Sequence, residues 1–228
     1  MATPDDTNNA TNTTLYFGYG SNLWLEQMHN RCPNSTYLGI ARLKNYKWII
    51  NERGYANVVE MSDDEYYNYD DNDNEEGQAL TPYDEDATTS AGVTTTMKQN
   101  YKWQVWGLVY SLQPSDEARL DSNEGVPVAY TKEMLKCEFW PASGDQDDES
   151  SKVVKMTRAK REKKDLLVYI NRDAVTPSKP KEEYVYRMNM GIKDAIKEGV
   201  PEGYVEEIMR KYIPEVEEVG EVVKVAKG

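Results

Sequence analysis

Thirty-six consecutive residues offer almost nothing to a core, and they interrupt everything that does. From Ser62 to Met97 the chain carries eleven Asp and Glu, no Lys or Arg and almost no aliphatic side chains. A segment with so little apolar surface gains too little from burial to offset the entropy of ordering it, and it exceeds the length of an ordinary connection. It reads as a flexible acidic insertion over residues 62–100. Its tyrosines (Tyr66, Tyr67, Tyr69, Tyr83) suggest a substrate lid or a partner site as the alternative to solvated disorder. A shorter acidic loop follows at 143–151. With 228 residues in all, one domain over 15–214 is expected, with a disordered tail at 1–14 and a second tail at 215–228.

The insertion also changes what the net charge means. The whole chain is at −13, but leaving out 62–97 brings the remainder to −2. The foldable part is nearly balanced. No basic patch is interleaved with aromatics, so nucleic acid is not an expected partner. The first fourteen residues are polar, with Asp5 and Asp6 where a secretory signal would be basic, and no run has the length of a membrane span. A cytoplasmic protein away from membranes is expected, in which Cys32 and Cys137 are free thiols.

The residue census removes chemistries as well. His29 is the only histidine, in a helix-like stretch where a surface or packing role is the simpler reading. A Ser-His-Asp site would have to use it, and a His-rich metal site is impossible. An enzyme built from this sequence moves its proton with a carboxylate or a tyrosine.

Along the chain, Leu15, Phe17 and Tyr19 alternate with Tyr16 and Gly18 as a strand does, and the run stops at Gly20-Ser21-Asn22. Backbone amides just beyond a glycine suit a carboxylate or an oxyanion, although an ordinary capped strand-to-helix turn has the same spacing. A short helix over 22–30 is predicted next. Residues 36–43 and 46–51 read as a hairpin about Lys44-Asn45, and 56–61 as a further strand. After the insertion come a strand at 103–112, a helix opened by Pro114-Ser115-Asp116-Glu117 and ending near Ser122-Asn123, and a long strand at 128–140. Residues 152–159 are its simplest hairpin partner, 160–164 a solvated basic turn, and 166–171 a buried strand. Tyr184, Met188, Ile192, Ala195 and Ile196 then recur at helical spacing, and 201–212 forms another helix with Tyr204, Ile208 and Met209 or Tyr212 inward. Around eight short strands with helices gathered toward the end do not alternate as a doubly wound sheet requires. The expected class is α+β, with a mostly antiparallel or barrel-like sheet.

Three short segments in this order are more specific than any one of them: Tyr16-Phe17-Gly18-Tyr19-Gly20-Ser21-Asn22-Leu23, Asp121-Ser122-Asn123-Glu124-Gly125-Val126-Pro127, and Tyr184-Val185-Tyr186-Arg187-Met188-Asn189-Met190-Gly191. Together with the strand Val105-Trp106-Gly107-Leu108-Val109-Tyr110 they resemble the γ-glutamylcyclotransferase family, over about 15–61 and 103–214. The resemblance implies a small, mixed, barrel-like sheet flanked by helices. It implies that Glu124 is the proton acceptor, that Tyr16, Phe17, Gly18, Tyr19, Gly20, Ser21 and Asn22 line a γ-glutamyl pocket, and that Tyr184 contacts substrate. Tyr130 and Tyr169 match positions near that pocket.

The implied reaction is attack of a γ-glutamyl compound's own α-amine on its γ-carbonyl, giving 5-oxoproline and a free amine, with no metal or cofactor. Ring closure within one molecule already supplies much of the proximity advantage. Glu124 would take the amine proton and return it to the leaving nitrogen, while the amides of Gly20 to Asn22 would hold a carboxylate or the oxyanion without a cationic side chain. The expected partner is a small γ-glutamyl molecule, and the oligomeric state, a homodimer included, stays open. Two other readings are a related amide-processing enzyme of specialised metabolism and a non-catalytic binding or regulatory protein that kept the pocket.

Overall fold

The computed structural model describes residues 13–65, 100–142 and 161–216. The expectations for the acidic insertion, the 143–151 loop, a strand at 152–159 and most of both tails fall outside the described residues.

Five strands close into a barrel in the order β1 (Thr14–Gly18), β5 (Gln104–Leu112), β2 (Thr36–Lys44), β6 (Thr131–Pro141) and β7 (Glu162–Ile170). All neighbours are antiparallel except β1 and β7, which run parallel through Tyr16 and Leu167, so the barrel is mixed. Closure leaves no edge strand, and consecutive residues of β1 and β5 are buried, so both faces of these strands are covered. Phe17, Trp106, Leu108 and Leu112 are all without solvent exposure.

Residues 36–43 and 46–51 do not pair as the hairpin predicted from the sequence. Asn45 sits at φ 65°, its N–H goes to the Trp103 carbonyl and its own carbonyl accepts from Met61. The chain therefore leaves the barrel at Asn45. β3 (Tyr46–Ile50) pairs instead with β4 (Ala56–Glu60) in a separate two-stranded sheet. A second correction concerns the partner of the long strand. β6 pairs with β7 from Thr131↔Ile170 to Phe139↔Glu162, so residues 162–164, expected in a solvated turn, are strand. Their lysines stay on the outside of a strand whose other half is core.

Helical segments pack on one another outside the barrel strands, the turn after β1 against the long C-terminal helix most of all. The predicted helix over 22–30 is divided at Trp24 into a 3₁₀ turn (Ser21–Leu23) and α1 (Leu25–Arg31), on which His29 is exposed. α2 (Pro114–Glu124) begins with Pro at its first turn and acids at Asp116 and Glu117. Gly125 ends it at φ 68°, where a side chain would be strained, and its N–H caps Ser122 and Asp121. α3 (Glu182–Lys197) buries Tyr184, Met188, Ile192 and Ala195 as its periodicity predicts, and α4 (Glu202–Tyr204) runs on into a π-helical turn at Val205–Met209. Among the described residues no helix is long and apolar enough to cross a membrane.

Candidate active site

Where β1 ends, the chain folds back on itself. Leu23 and Trp24 donate to the carbonyls of Gly20 and Ser21, and the buried Tyr110 hydroxyl, from the facing strand β5, holds the Asn22 carbonyl at 3.0 Å. That turn delivers Asn22 to the end of α2, whose last residue is Glu124. Asn22 Nδ2 donates to Glu124 Oε1 at 3.0 Å and to the Tyr16 hydroxyl at 2.8 Å. Its Oδ1 accepts from Gln27 and from Arg31, each at 2.9 Å. Both donors and both lone pairs of this amide are occupied, which fixes its orientation.

Around these residues lies a cavity of about 280 Å³, walled by Tyr16, Tyr19, Gly20, Ser21, Asn22, Glu124, Tyr130, Tyr169 and Tyr184, and also by Arg31, Arg53, Tyr55, Ala56, Asn123 and Arg187. Of the residues named from the sequence, Phe17 and Gly18 lie elsewhere. Strand alternation turns Phe17 away from Tyr16, and its ring packs at Gly107, where the Gly18 carbonyl also approaches. Both belong to the core.

The Glu124 side chain is 19% exposed and its pKa is raised. Burial is the main cause, since it disfavours the charged form; Arg31, with an Nη at 3.7 Å, the Asn22 hydrogen bond, Arg187 and Arg53 all oppose it without cancelling it. Its place at the negative end of α2 acts in the same direction as burial. The result is a carboxyl group able to hold or release a proton nearer neutrality than an exposed glutamate does.

Three arginines were missed by the sequence reading, which gave anion binding to backbone alone. Arg187 lies three residues past Tyr184 on α3, a spacing that puts both on one face, and its guanidinium covers the Tyr184 ring at 5.2 Å. That signal was available. Arg53 comes from the turn between β3 and β4, stacks over Tyr130 at 5.6 Å and has no carboxylate within ion-pairing distance among the described residues. Nothing local in the sequence marks it. The Ser21 amide, expected to face a ligand, instead donates to the Tyr184 hydroxyl at 3.1 Å.

Tyr130 and Tyr169 present rings, with their hydroxyls bound elsewhere. Tyr130 donates to the Ala56 carbonyl at 2.9 Å and Tyr169 to Asp121 at 2.6 Å. Asp121 is three residues before Glu124, and Lys132 of β6 binds it at 3.1 Å. The last turn of α2 is thereby fastened to β6 and β7.

No family model matches the chain. Human and bovine proteins named gamma-glutamylcyclotransferase are 30% and 29% identical to it over 112 residues, which is 49% of this chain and 44% of each relative. The match thus spans less than half the length of these curated relatives. Two solved structures share the fold. One, of an uncharacterized protein from Homo sapiens, has a TM-score of 0.54 at 19% identity and covers 95% of this chain and 99% of its own. The other, named gamma-glutamyl cyclotransferase, has a TM-score of 0.51 at 20% identity with 94% and 98% covered. The barrel is thus shared with both solved structures, and the sequence likeness is to proteins named gamma-glutamylcyclotransferase.

Proposed function

We propose that this chain is a γ-glutamylcyclotransferase, a lyase that cyclises a γ-glutamyl amino acid or amide to 5-oxoproline and releases the amine. The observation that carries this reading is Glu124: a single carboxylate of raised pKa, oriented through one oxygen by Asn22 and set in a cavity bearing three guanidinium groups.

The chemistry follows from that arrangement. A free α-amine with a pKa of roughly 7.7 to 8.0 is mostly protonated near neutrality and has no lone pair to attack with. Glu124, ionised, takes one proton from it. Oε1 is held by Asn22 and neighboured by Arg31, so Oε2 is the oxygen that accepts. The amine nitrogen then bonds to the γ-carbonyl carbon and the carbonyl electrons move to oxygen. When the tetrahedral adduct collapses, the original amide C–N bond breaks and the protonated Glu124 returns its proton to the departing nitrogen; the regenerated carboxylate then takes the second proton of the attacking nitrogen, leaving 5-oxoproline with one N–H, and passes it to the released amine, which departs as an ammonium. No water enters and the carboxylate is regenerated. Arginines suit the carboxylates that γ-glutamyl compounds carry, through paired N–H donors.

The test is 5-oxoproline release from a panel of γ-glutamyl amino acids, γ-glutamyl amines and glutathione, with the native protein beside Glu124→Gln. Release by the native protein that is lost in the variant supports the reading. Release that survives the variant removes Glu124 as the base, and no release from any compound removes the activity.

A further inference from the structure

Six tyrosines line the cavity, and four of them have already given their hydroxyl proton to a protein acceptor. Tyr19 donates to the Tyr169 carbonyl, Tyr55 to Glu183, Tyr130 to the Ala56 carbonyl and Tyr169 to Asp121. Tyr16 and Tyr184 differ: among the described residues their hydroxyls only accept. The Tyr16 oxygen takes one hydrogen bond from Asn22, on the side of the cavity where Glu124 stands. The Tyr184 oxygen takes two from backbone, from Ser21 N–H at 3.1 Å and Ala56 N–H at 3.4 Å. A phenol oxygen that accepts from two fixed amides has its proton directed along the remaining direction, and here the remaining space is the cavity.

Two further features keep it so. A Cβ on Gly20 would come 2.7 Å from this hydroxyl, so the close approach of turn and phenol needs glycine. Tyr55 packs edge-on against the Tyr184 ring at 5.1 Å while Arg187 covers it, which leaves the ring one position.

We propose that the Tyr184 hydroxyl is a catalytic hydrogen-bond donor to the γ-carbonyl oxygen, passing on the polarity of the Ser21 and Ala56 amides that the glycine turn aims at it rather than at the ligand. This assignment rests on the cyclotransferase reading above. It divides the reaction between two walls: Glu124 handles the amine proton, and Tyr184 stabilises the negative charge that develops on oxygen as the carbon–nitrogen bond forms. A donor fixed before the reaction begins costs no reorganisation when the charge appears. Burial pushes its pKa up to about 12, so the phenol stays protonated and acts by donating.

The experiment compares kcat and KM for 5-oxoproline release by the native protein, Tyr184→Phe, and a series in which position 184 carries tyrosines with increasing ring fluorination. The expected result is a kcat lowered about 10²- to 10³-fold in Tyr184→Phe, the usual effect of removing one oxyanion donor, with KM little changed. In the fluorinated series kcat should rise as the phenol becomes more acidic while it remains protonated. A Tyr184→Phe variant of native kcat, or one altered only in KM, overturns the proposal. So does a lowered kcat in Tyr184→Phe with a rate that ignores phenol acidity, since that marks a structural hydroxyl. Absence of release by the native protein would instead overturn the cyclotransferase reading, and the two failures are distinct.

Discussion

The Asn22 Nδ2 group lies 3.0 Å from Glu124 Oε1 and 2.8 Å from the Tyr16 hydroxyl, so one amide nitrogen ties the proposed base to the barrel strand that starts the site. With its oxygen bound by Gln27 and Arg31, the side chain has no capacity left for a ligand and serves to set the carboxylate. Its hydrogen bond favours the charged form of Glu124. Asn22→Ala should therefore raise the Glu124 pKa further. A hydrogen bond to a charged group is worth about 1.5–3 kcal/mol, which corresponds to roughly one to two pH units. The acidic limb of the kcat/KM profile should move upward by about that amount, and an unmoved limb would show that Asn22 does not control the base.

Because burial raises the pKa of Glu124 above its unfolded value of 4.5, the folded protein binds this proton more tightly than the unfolded chain. As pH rises from 4.5 through the folded pKa, the unfolded chain loses its proton first and stability falls across that window. Glutamine is neutral at every pH and keeps the acceptor for Asn22. Glu124→Gln should therefore melt at a higher temperature than the native protein at neutral pH, with the gap closing below pH 4.5. Thermal melts at a series of pH values test this; a variant that melts lower at neutrality would mean that Arg31 outweighs burial.

The elements of this site were legible unequally. Glu124 and the lining role of Tyr16–Asn22 came through the family resemblance, and the residues by themselves marked only the Gly20-Ser21-Asn22 turn. The helical period by itself gave Tyr184 a packing face, and its place in the site came through the same resemblance. The hairpin at Lys44-Asn45 was misread because a strand pairs by whichever partner buries its face, and β2 has two such partners in β5 and β6. Arg53 and Tyr55 left no trace because a turn places side chains by the sheet it closes, and that sheet was itself misassigned. That the Tyr184 hydroxyl only accepts from protein is set by donors more than a hundred residues away, the backbone amides of Ser21 and Ala56.

Gly20 and Tyr184 should behave as one unit. Gly20→Ala would set a methyl 2.7 Å from the hydroxyl and 3.2 Å from the Ala56 side chain, and the hydroxyl is held in place by the Ser21 amide. Overpacking of this kind typically costs about 1–3 kcal/mol. Removing the hydroxyl in the same molecule relieves the closest clash, so Gly20→Ala in a Tyr184→Phe background should cost clearly less than it does alone. A double-mutant cycle by denaturant unfolding measures the difference, and additive effects would mean that the turn moves without regard to the phenol.

Far from the cavity, the barrel contains a buried ion pair whose cost and strength can be separated. Arg42 on β2 is 2% exposed and lies in register with Glu138 of β6 on one side and Trp106 of β5 on the other. Its guanidinium binds Glu138 through Nε at 2.9 Å and Nη2 at 2.5 Å, with the Trp106 and Trp140 rings at 5.4 and 5.6 Å. Burial alone would raise the Glu138 pKa, but Arg42 and Lys44 more than reverse this and hold it below its usual value. A lowered folded pKa gives stability that is complete above the unfolded value and lost as pH falls through the folded one. Glu138→Ala leaves a buried guanidinium without its carboxylate and should cost about 3–5 kcal/mol at neutral pH, whereas replacing Arg42 and Glu138 together with apolar residues of similar volume should cost far less. Urea unfolding at neutral and acidic pH tests both halves: the native protein should lose more stability on acidification than Glu138→Ala does, and equal losses would show that the pair contributes nothing through its charge.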